Sequence, residues 1–236
     1  ASRLKAQTSG MAVAMRNTQN STAMLQTAEG ALDEVSNMLI RMKDLATQAA
    51  DTSSSIADKE SMQSEYDALG TELGNVLKNT KFGGETLIVG GTIGAAMKFQ
   101  IGADANEVMN ITMATDVTAI ATDVGAATAS YAAGAAGTEI STAADATTAI
   151  TDLTTALASV NKVRSSLGAA ANRLEHVNNN LSNISTNTKQ ATGLIMDVDF
   201  ATESANMTSS QMLLQAGTAM LKQSNSMSSM VMSLLQ

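Results

Sequence analysis

Apolar or small residues recur every seven positions between residues 4 and 49, in two interleaved series. The two series are Leu4, Met11, Thr18, Leu25, Leu32, Leu39 and Ala46, and Ala14, Ser21, Ala28, Val35, Met42 and Ala49. Their combined spacing of about 3.5 residues is that of a coiled-coil seam, and an ordinary amphipathic helix seldom keeps this register for so long. The pattern predicts one long helix packed closely against a partner helix.

A polar segment at residues 51–60 ends this first helix, and Ser54 or Ser55 is placed to cap the next one. The second predicted helix is shorter and ends near Asn79. Its apolar positions are Met62, Tyr66, Leu69, Leu73 and Val76. The short connection between the two helices predicts that the second returns antiparallel to the first.

Residues 81–113 change from helical spacing to an alternation of apolar and polar residues around glycine pairs. The runs KFGGETLIVGG, MKFQIG and VMNITM have the composition of short strands joined by tight turns. Residues 114–140 consist mainly of Ala, Thr, Gly and Ser. We expect them to form an exposed segment, either as a few turns of helix or as a loop over the surface.

A second long heptad pattern predicts a helix over residues 141–190. Its two series are Leu153, Val160, Leu167, Leu174 and Leu181, and Ile150, Leu157, Val163, Ala170, Val177 and Ile184. The second series slips by one residue near Val163, which predicts a local unwinding of the supercoil. Gly193 is expected to end this helix, and Asp197 or Asp199 to cap the last one.

The final helix carries an apolar stripe with almost no charge. The stripe is formed by Leu213, Ala216, Met220, Met227, Val231 and Leu234. Such a stripe needs a partner, which could be the protein's own core, another subunit or a membrane. Helices that lie on membranes are usually rich in Lys and Arg, and this helix contains only Lys222.

Together these elements predict a mainly α fold. It is a long antiparallel α-helical coiled-coil rod with a small β-hairpin region and a C-terminal arm helix. The predicted segments are 1–80 for the N-terminal coiled-coil helices, 81–113 for the β-hairpin region, 114–140 for the short surface segment, 141–192 for the C-terminal coiled-coil helix and 193–236 for the C-terminal arm.

The composition of the 236 residues favours long helices and narrows the function. Apolar residues make up 44% of the chain and aromatic residues only 2%, and proline, which breaks helices, is absent. A net charge of −8 argues against nucleic acid as a partner, and no apolar run is long enough for membrane insertion. Without cysteine the chain has neither disulfides nor thiol chemistry. Because the sequence starts at Ala1 in mid-pattern, we expect a fragment whose start is removed.

The sequence offers few residues for catalysis or metal binding. His176 is its single histidine, so a catalytic triad or a histidine-based metal site is unavailable, and an exposed helix position fits it better. The glycines of residues 83–91 lack the phosphate-loop pattern and suit turns. Asp197 and Asp199 suit capping rather than paired-carboxylate catalysis. The sequence therefore predicts a protein that is not an enzyme and that uses no metal or cofactor.

Short runs along most of the chain carry a resemblance to a known family. In the N-terminal half they are QTAEGAL (26–32), LIRMKDLATQAA (39–50), NTKFGG (79–84) and FQIGA (99–103). In the C-terminal half they are SLGAAANRLEHVNNNLSNIS (166–185), DVDFATESANM (197–207), QAGTAML (215–221) and the final SLLQ. No single run is decisive, but in this order and spacing they resemble those of bacterial flagellin, and the chain is identified as a member of this family.

The resemblance implies a structural subunit that is exported by the flagellar type III apparatus and polymerises into the flagellar filament for swimming motility. In the family, the two terminal regions pair as a coiled coil, and the terminal arms line the filament core. By comparison, the N-terminal arm is missing before Ala1, and residues 104–140 are a short version of the variable middle.

The implied partners are other flagellin subunits, a secretion chaperone on the C-terminal arm, and the filament cap and junction proteins. Neither nucleic acid nor membrane insertion is implied. The residues implied for filament-core and chaperone contacts are Leu213, Leu214, Ala216, Met220, Leu221, Met227, Val231, Leu234 and Leu235.

A vertebrate Toll-like receptor is a further implied partner. Recognised members of the family present an Arg, a Leu and a Glu to it from their first two helices. These fall on Arg41, Leu45 and Glu65, while Ile40 stands where that motif commonly has Gln. The alternative is that Arg41 and Glu65 form only an interhelical ion pair, and subunit packing is a further use for the same face.

Two other functions compete with a filament subunit. The hook–filament junction protein shares flagellin's end regions, although QTAEGAL and QAGTAML resemble flagellin more. A signalling coiled-coil module, such as a chemoreceptor hairpin, should continue its heptads through residues 81–113, which instead have strand spacing.

Overall fold

The computed structural model describes residues 2–132, 135–196 and 200–234. The chain divides into two compact units. The larger unit is Gln7–Ser185, and the smaller unit comprises Ala1–Ala6 and Thr186–Gln236. The hydrophobic core described below belongs to the larger unit.

Helices dominate the chain, as the heptads predicted. The described helices are α1 (Ser2–Ala50), α2 (Ile56–Asn79), α3 (Ala114–Ala127), α4 (Ala143–Met196) and α5 (Phe200–Leu234). The strands form two antiparallel pairs, β1 (Lys81–Phe82) with β2 (Glu85–Thr86), and β3 (Ala96–Gln100) with β4 (Val108–Thr112). The prediction of a mainly α fold with a small β-hairpin region is confirmed.

The seam predicted for α1 lies in the core. Every predicted seam position is buried except Leu4 and Ser21, which are half-buried. The Thr18 hydroxyl donates to Asn178 Oδ1 at 3.3 Å, and Arg164 Nη2 lies 2.7 Å from Asp33 Oδ1. Residue numbers rise along α1 as they fall along α4 in these contacts, so the two helices run antiparallel, as predicted.

The seam of α4 lacks the slip that the sequence predicted near Val163. Its buried residues alternate without interruption at spacings of three and four: Ala146, Ala149, Leu153, Ala156, Val160, Val163, Leu167, Ala170 and Leu174. The sequence analysis assigned the larger Ile150 and Leu157 to the seam, yet they are half-buried beside Ala149 and Ala156. Small alanines take the seam because they let the helices approach closely. Ile184, also assigned to the seam, is 39% exposed.

The helix ends confirm one prediction and correct another. Ser55 caps α2 in a full capping box with Asp58. Helix α4 does not end at Gly193 but continues to Met196, because glycine inside a helix costs only about 1 kcal/mol and stops it only where a left-handed residue is required. The capping residues predicted for the last helix, Asp197 and Asp199, lie outside the described residues.

Tight turns in the β region use glycine as predicted. Gly83 and Gly84 join β1 to β2 with φ values of +61° and +94°, which other residues rarely adopt. The connection that follows β2 buries Leu87, Ile88 and Ile93 against the helices. The hairpins are therefore part of the core and not a separate layer.

Residues 114–127 have the few turns of helix that the sequence analysis allowed, but the prediction that they are exposed was wrong. They form α3, which buries Val117, Ile120, Val124 and Ala127. Lys162 of α4 pairs with Asp116 of α3 at 2.8 Å. The Ala- and Thr-rich composition obscured a helical spacing of three and four among the few larger residues, and this spacing decides burial.

Polar contacts fix residues 137–140, which follow α3 in the chain, to α2. Gln63 is 7% exposed, and its Oε1 accepts from the Ile140 backbone N–H at 2.8 Å. Its Nε2 donates to Asp67 Oδ1 and Glu139 Oε2, each at 2.9 Å. Asp67 in turn accepts from the Gly137 N–H at 3.1 Å. A buried amide with all its partners specifies one position for this segment.

Gly70 on α2 lies close to Thr128, the residue that follows α3. A Cβ on Gly70 would lie 2.4 Å from Thr128 Oγ1, whereas nothing lies within 4 Å of one on Gly30 of α1. We expect Gly70→Ala to lower the free energy of unfolding by about 1–3 kcal/mol through overpacking. Gly30→Ala should instead raise it by about 0.5–1 kcal/mol, because alanine loses less backbone entropy. Urea titrations of both variants measure these changes. If Gly70→Ala stabilised the protein as much as Gly30→Ala, the close packing of Gly70 against Thr128 would be contradicted.

Candidate functional site

The described residues show no constellation for metal chemistry. No three His, Cys, Asp or Glu side chains among them lie close enough to hold a metal ion. His176 is exposed on α4, as its interpretation as a surface histidine predicted. Within the described part of the chain, no helix is long and apolar enough to cross a bilayer.

The apolar stripe of α5 is an exposed apolar surface of the smaller unit. Every described side chain from residue 202 to residue 234 is exposed. On the stripe, Leu213 is 72% exposed, Met220 78% and Leu234 82%. Folded proteins rarely expose an apolar surface of this extent unless it binds something.

The stripe runs along one face of α5 from Leu213 to Leu234. Leu213, Met220 and Met227 follow one another at intervals of seven, and Val231 and Leu234 continue the same face. Leu214 and Leu221 lie about 100° further round the helix and widen it. Leu235, which the sequence analysis also assigned to this surface, lies outside the described residues. The geometry provides a face for packing another helix.

A second exposed feature joins α1 to α2. Arg41 Nη2 lies 2.7 Å from Glu65 Oε1, and its Nε donates to the same oxygen at 2.7 Å. The two side chains are 54% and 45% exposed, so solvent screens the pair and it contributes at most about 1 kcal/mol to stability. Ile40 is 50% exposed beside it. The structure therefore brings Arg41 and Glu65 together on an accessible surface.

Leu45 differs from the other residues that the resemblance placed on this surface. It is 2% exposed and belongs to the hydrophobic core. A partner that docks on Arg41 and Glu65 would not reach the Leu45 side chain in this conformation. Leu45 supports the face from beneath, because its burial fixes the part of α1 from which Arg41 projects.

Several polar residues of the larger unit were missed by sequence reasoning. The Gln63, Asp67 and Glu139 cluster and the Asp33–Arg164 pair join segments far apart in the chain. Burial raises the pKa of Tyr66, whose hydroxyl donates to the Ala127 carbonyl at 2.6 Å. The one available signal was Gln63, a polar residue beside Met62 on the apolar side of α2.

The cap of α2 makes stability depend on pH. The Ser55 hydroxyl donates to Asp58 Oδ2 at 2.6 Å and the Ser55 N–H donates at 3.1 Å, and these bonds lower the Asp58 pKa. The stabilisation is therefore present above the ordinary pKa of about 4 and is lost as the pH falls through the lower folded value. Asp58→Asn should reduce this acid dependence of thermal unfolding. Glu60→Gln removes the same charge without touching the cap and should leave the acid dependence unchanged. If the two substitutions had equal effects, the assignment of this dependence to the Ser55–Asp58 cap would be contradicted.

Family models match both ends of the chain. The model described as bacterial flagellin N-terminal helical region matches residues 1–92, and the bacterial flagellin C-terminal helical region matches residues 150–235. Flagellin C of Vibrio cholerae is 45% identical over 111 residues, which cover 47% of this chain and 29% of that protein. Polar flagellin F of Vibrio parahaemolyticus is 42% identical over 117 residues, which cover 48% of this chain and 30% of that protein. These alignments thus span less than a third of the curated relatives.

Solved structures share the fold. A putative flagellar hook-associated protein from Vibrio parahaemolyticus matches with a TM-score of 0.64 at 16% identity, over 81% of this chain and 93% of that one, which bears on the fold alone. The crystal structure of Bacillus cereus flagellin matches with a TM-score of 0.58 at 30% identity, over 70% of this chain and 88% of that one. With both terminal regions matched and a solved flagellin covered for most of its length, this chain belongs to the bacterial flagellin family.

Proposed function

We propose that this chain is a structural, non-enzymatic subunit that is secreted and polymerises into a bacterial flagellar filament for motility. The observation that carries the proposal is the exposed stripe of α5 in a chain of the flagellin family. An apolar face of this kind gains stability only by burial, and copies of the same chain supply a repeated partner for it.

Seeded elongation tests this proposal. Sheared filament fragments are mixed with the purified chain under salting-out conditions, which strengthen apolar burial, and fragment length is followed by electron microscopy. A filament subunit lengthens the fragments. A hook–filament junction protein, the alternative, would bind fragment ends and stop. Fragments that their own subunit lengthens but this chain neither lengthens nor binds would contradict both functions.

The same stripe supports a proposal for partners before and during assembly. A flagellar secretion chaperone would cover Leu213, Met220 and the residues around them until export through the type III apparatus. Filament cap and junction proteins would meet the same arm at the filament ends. Shielding the stripe prevents premature association, because exposed apolar surface drives it.

Recognition by a vertebrate Toll-like receptor is a separate proposal for the surface formed by Ile40, Arg41 and Glu65. Its support is the exposure of the three side chains and the match of Arg41 and Glu65 to the recognised motif, from which Ile40 departs. A guanidinium at the centre of an interface is a frequent source of binding energy.

Arg41→Asp is expected to weaken receptor signalling by roughly tenfold or more, while unfolding changes by less than about 1 kcal/mol because the ion pair is exposed. Cell-based reporter assays and thermal melts measure the two effects. Arg173→Asp, at an exposed position on α4, is the matched charge change and should leave signalling intact. Combining Arg41→Glu with Glu65→Arg restores the ion pair with its charges exchanged. Full signalling by that double variant would show that the pair acts only structurally.

A further inference from the structure

Buried and exposed methionines lie in different parts of the chain. Every methionine before residue 196 is buried or half-buried, including Met11, Met42 and Met97 at 3%, 0% and 4% exposure. Every methionine from Met196 onwards is at least 43% exposed. The exposed group consists of Met196, Met207, Met212, Met220, Met227, Met230 and Met232. All of the exposed thioethers therefore lie in the smaller unit, and most of them lie on α5.

The thioether of methionine is an oxidation site wherever it meets solvent. A peroxide transfers one oxygen to the sulfur, the O–O bond breaks, and water leaves; the sulfur loses two electrons and the peroxide gains them. The product, methionine sulfoxide, is polar and is reduced back by methionine sulfoxide reductases. Buried sulfurs react slowly because the oxidant does not reach them.

We propose that Met220 and Met227 form a reversible oxidation site that controls whether the α5 stripe packs against a partner. Both lie at the centre of the stripe, one heptad apart, and both are more than half exposed. A sulfoxide there would have to be buried without a hydrogen-bond partner, which opposes packing. The effect on assembly rests on the proposed filament function, whereas the selectivity of oxidation does not.

Peptide mass spectrometry after a pulse of hydrogen peroxide tests the selectivity. The buried methionines are 0–8% exposed and those of α5 57–78%, so we expect the methionines of α5 to oxidise about tenfold faster than the buried ones. Similar rates at Met220 and Met42 would overturn the proposal.

Seeded elongation tests the consequence with matched variants. Met220→Leu with Met227→Leu keeps an apolar side chain of similar size that peroxide does not convert, so elongation should survive peroxide. Met207→Leu with Met232→Leu removes two exposed thioethers on the other side of α5, so peroxide should still abolish elongation, and reductase treatment should restore it. Equal sensitivity of the two double variants would overturn the role of Met220 and Met227. If the untreated chain fails to elongate, the proposed function fails, and the oxidation pattern still decides which methionines form the site.

Discussion

Met220→Asp is expected to abolish seeded elongation. The side chain is 78% exposed at the centre of the α5 stripe, so the substitution changes no core contact of the free chain. In the packed state the carboxylate would be buried without a partner, and the penalty for burying an unpaired charge is several kcal/mol. A subunit interface that repeats along a filament meets this penalty at every added copy. Electron microscopy should then show seeds that do not lengthen.

Gln215→Asp is the matched control for Met220→Asp. It places the same charge on the same helix, about 140° round from Met220 and away from the stripe. It should leave elongation close to that of the unmodified chain. Loss of elongation in both variants would show that helix formation or net charge limits assembly, whereas loss in neither would show that the stripe is not the assembly surface.

The regular parts of this fold follow from the sequence because helical seams obey a simple period. The seam positions from Leu25 to Met42 in α1 are buried as the heptads predicted, and so is the α4 series Leu153, Val160, Leu167 and Leu174. The β region was recognisable because Gly83 and Gly84 permit the backbone that a two-residue hairpin turn needs. In each case a local rule and the final packing agree.

The errors arose where tertiary contacts override local composition. Residues 114–127 have the composition of an exposed segment, yet Val117, Ile120 and Val124 together suffice to dock a helix. Ala149 and Ala156 displaced larger neighbours from the seam because helix approach, and not side-chain size, decides which positions face the partner. The contacts of Gln63 with residues 139 and 140 depend on how distant segments meet, which no period in the sequence encodes.

The candidate surfaces show the same division. The helical spacing predicted the apolar stripe of α5 but left open whether the protein's own core covers it, and the structure shows it exposed. The resemblance placed Leu45 on the same surface as Arg41, but the structure buries it. On a helix, residues four apart differ in direction by only about 40°, so the edge of the core at this end of α1 passes between Arg41 and Leu45. Only a structure separates the residue that a partner can touch from the one that supports it.

The larger unit, unlike exposed α5, is stabilised by a buried core, so truncating a core residue should destabilise it strongly. The larger unit has a main hydrophobic core, rich in Leu, Val, Ala and Met, packed between its helices. Leu32 of α1 is fully buried in that core. Leu32→Ala is expected to lower the free energy of unfolding by about 2–5 kcal/mol, because it removes buried methyl groups and leaves a cavity that tight helix packing does not let collapse.

Urea unfolding followed by amide hydrogen exchange within residues 7–185 measures this loss. Ile40→Ala is the matched control, since it truncates a large aliphatic side chain on the same helix at a position that is 50% exposed, and it should change stability by about 0.5 kcal/mol or less. Exposed α5 gains nothing from Leu32, so the loss should be confined to the larger unit while the stripe stays available for assembly. A similar loss from both truncations would mean that α1 is stabilised along its whole surface, and that the heptad seam does not hold this unit together.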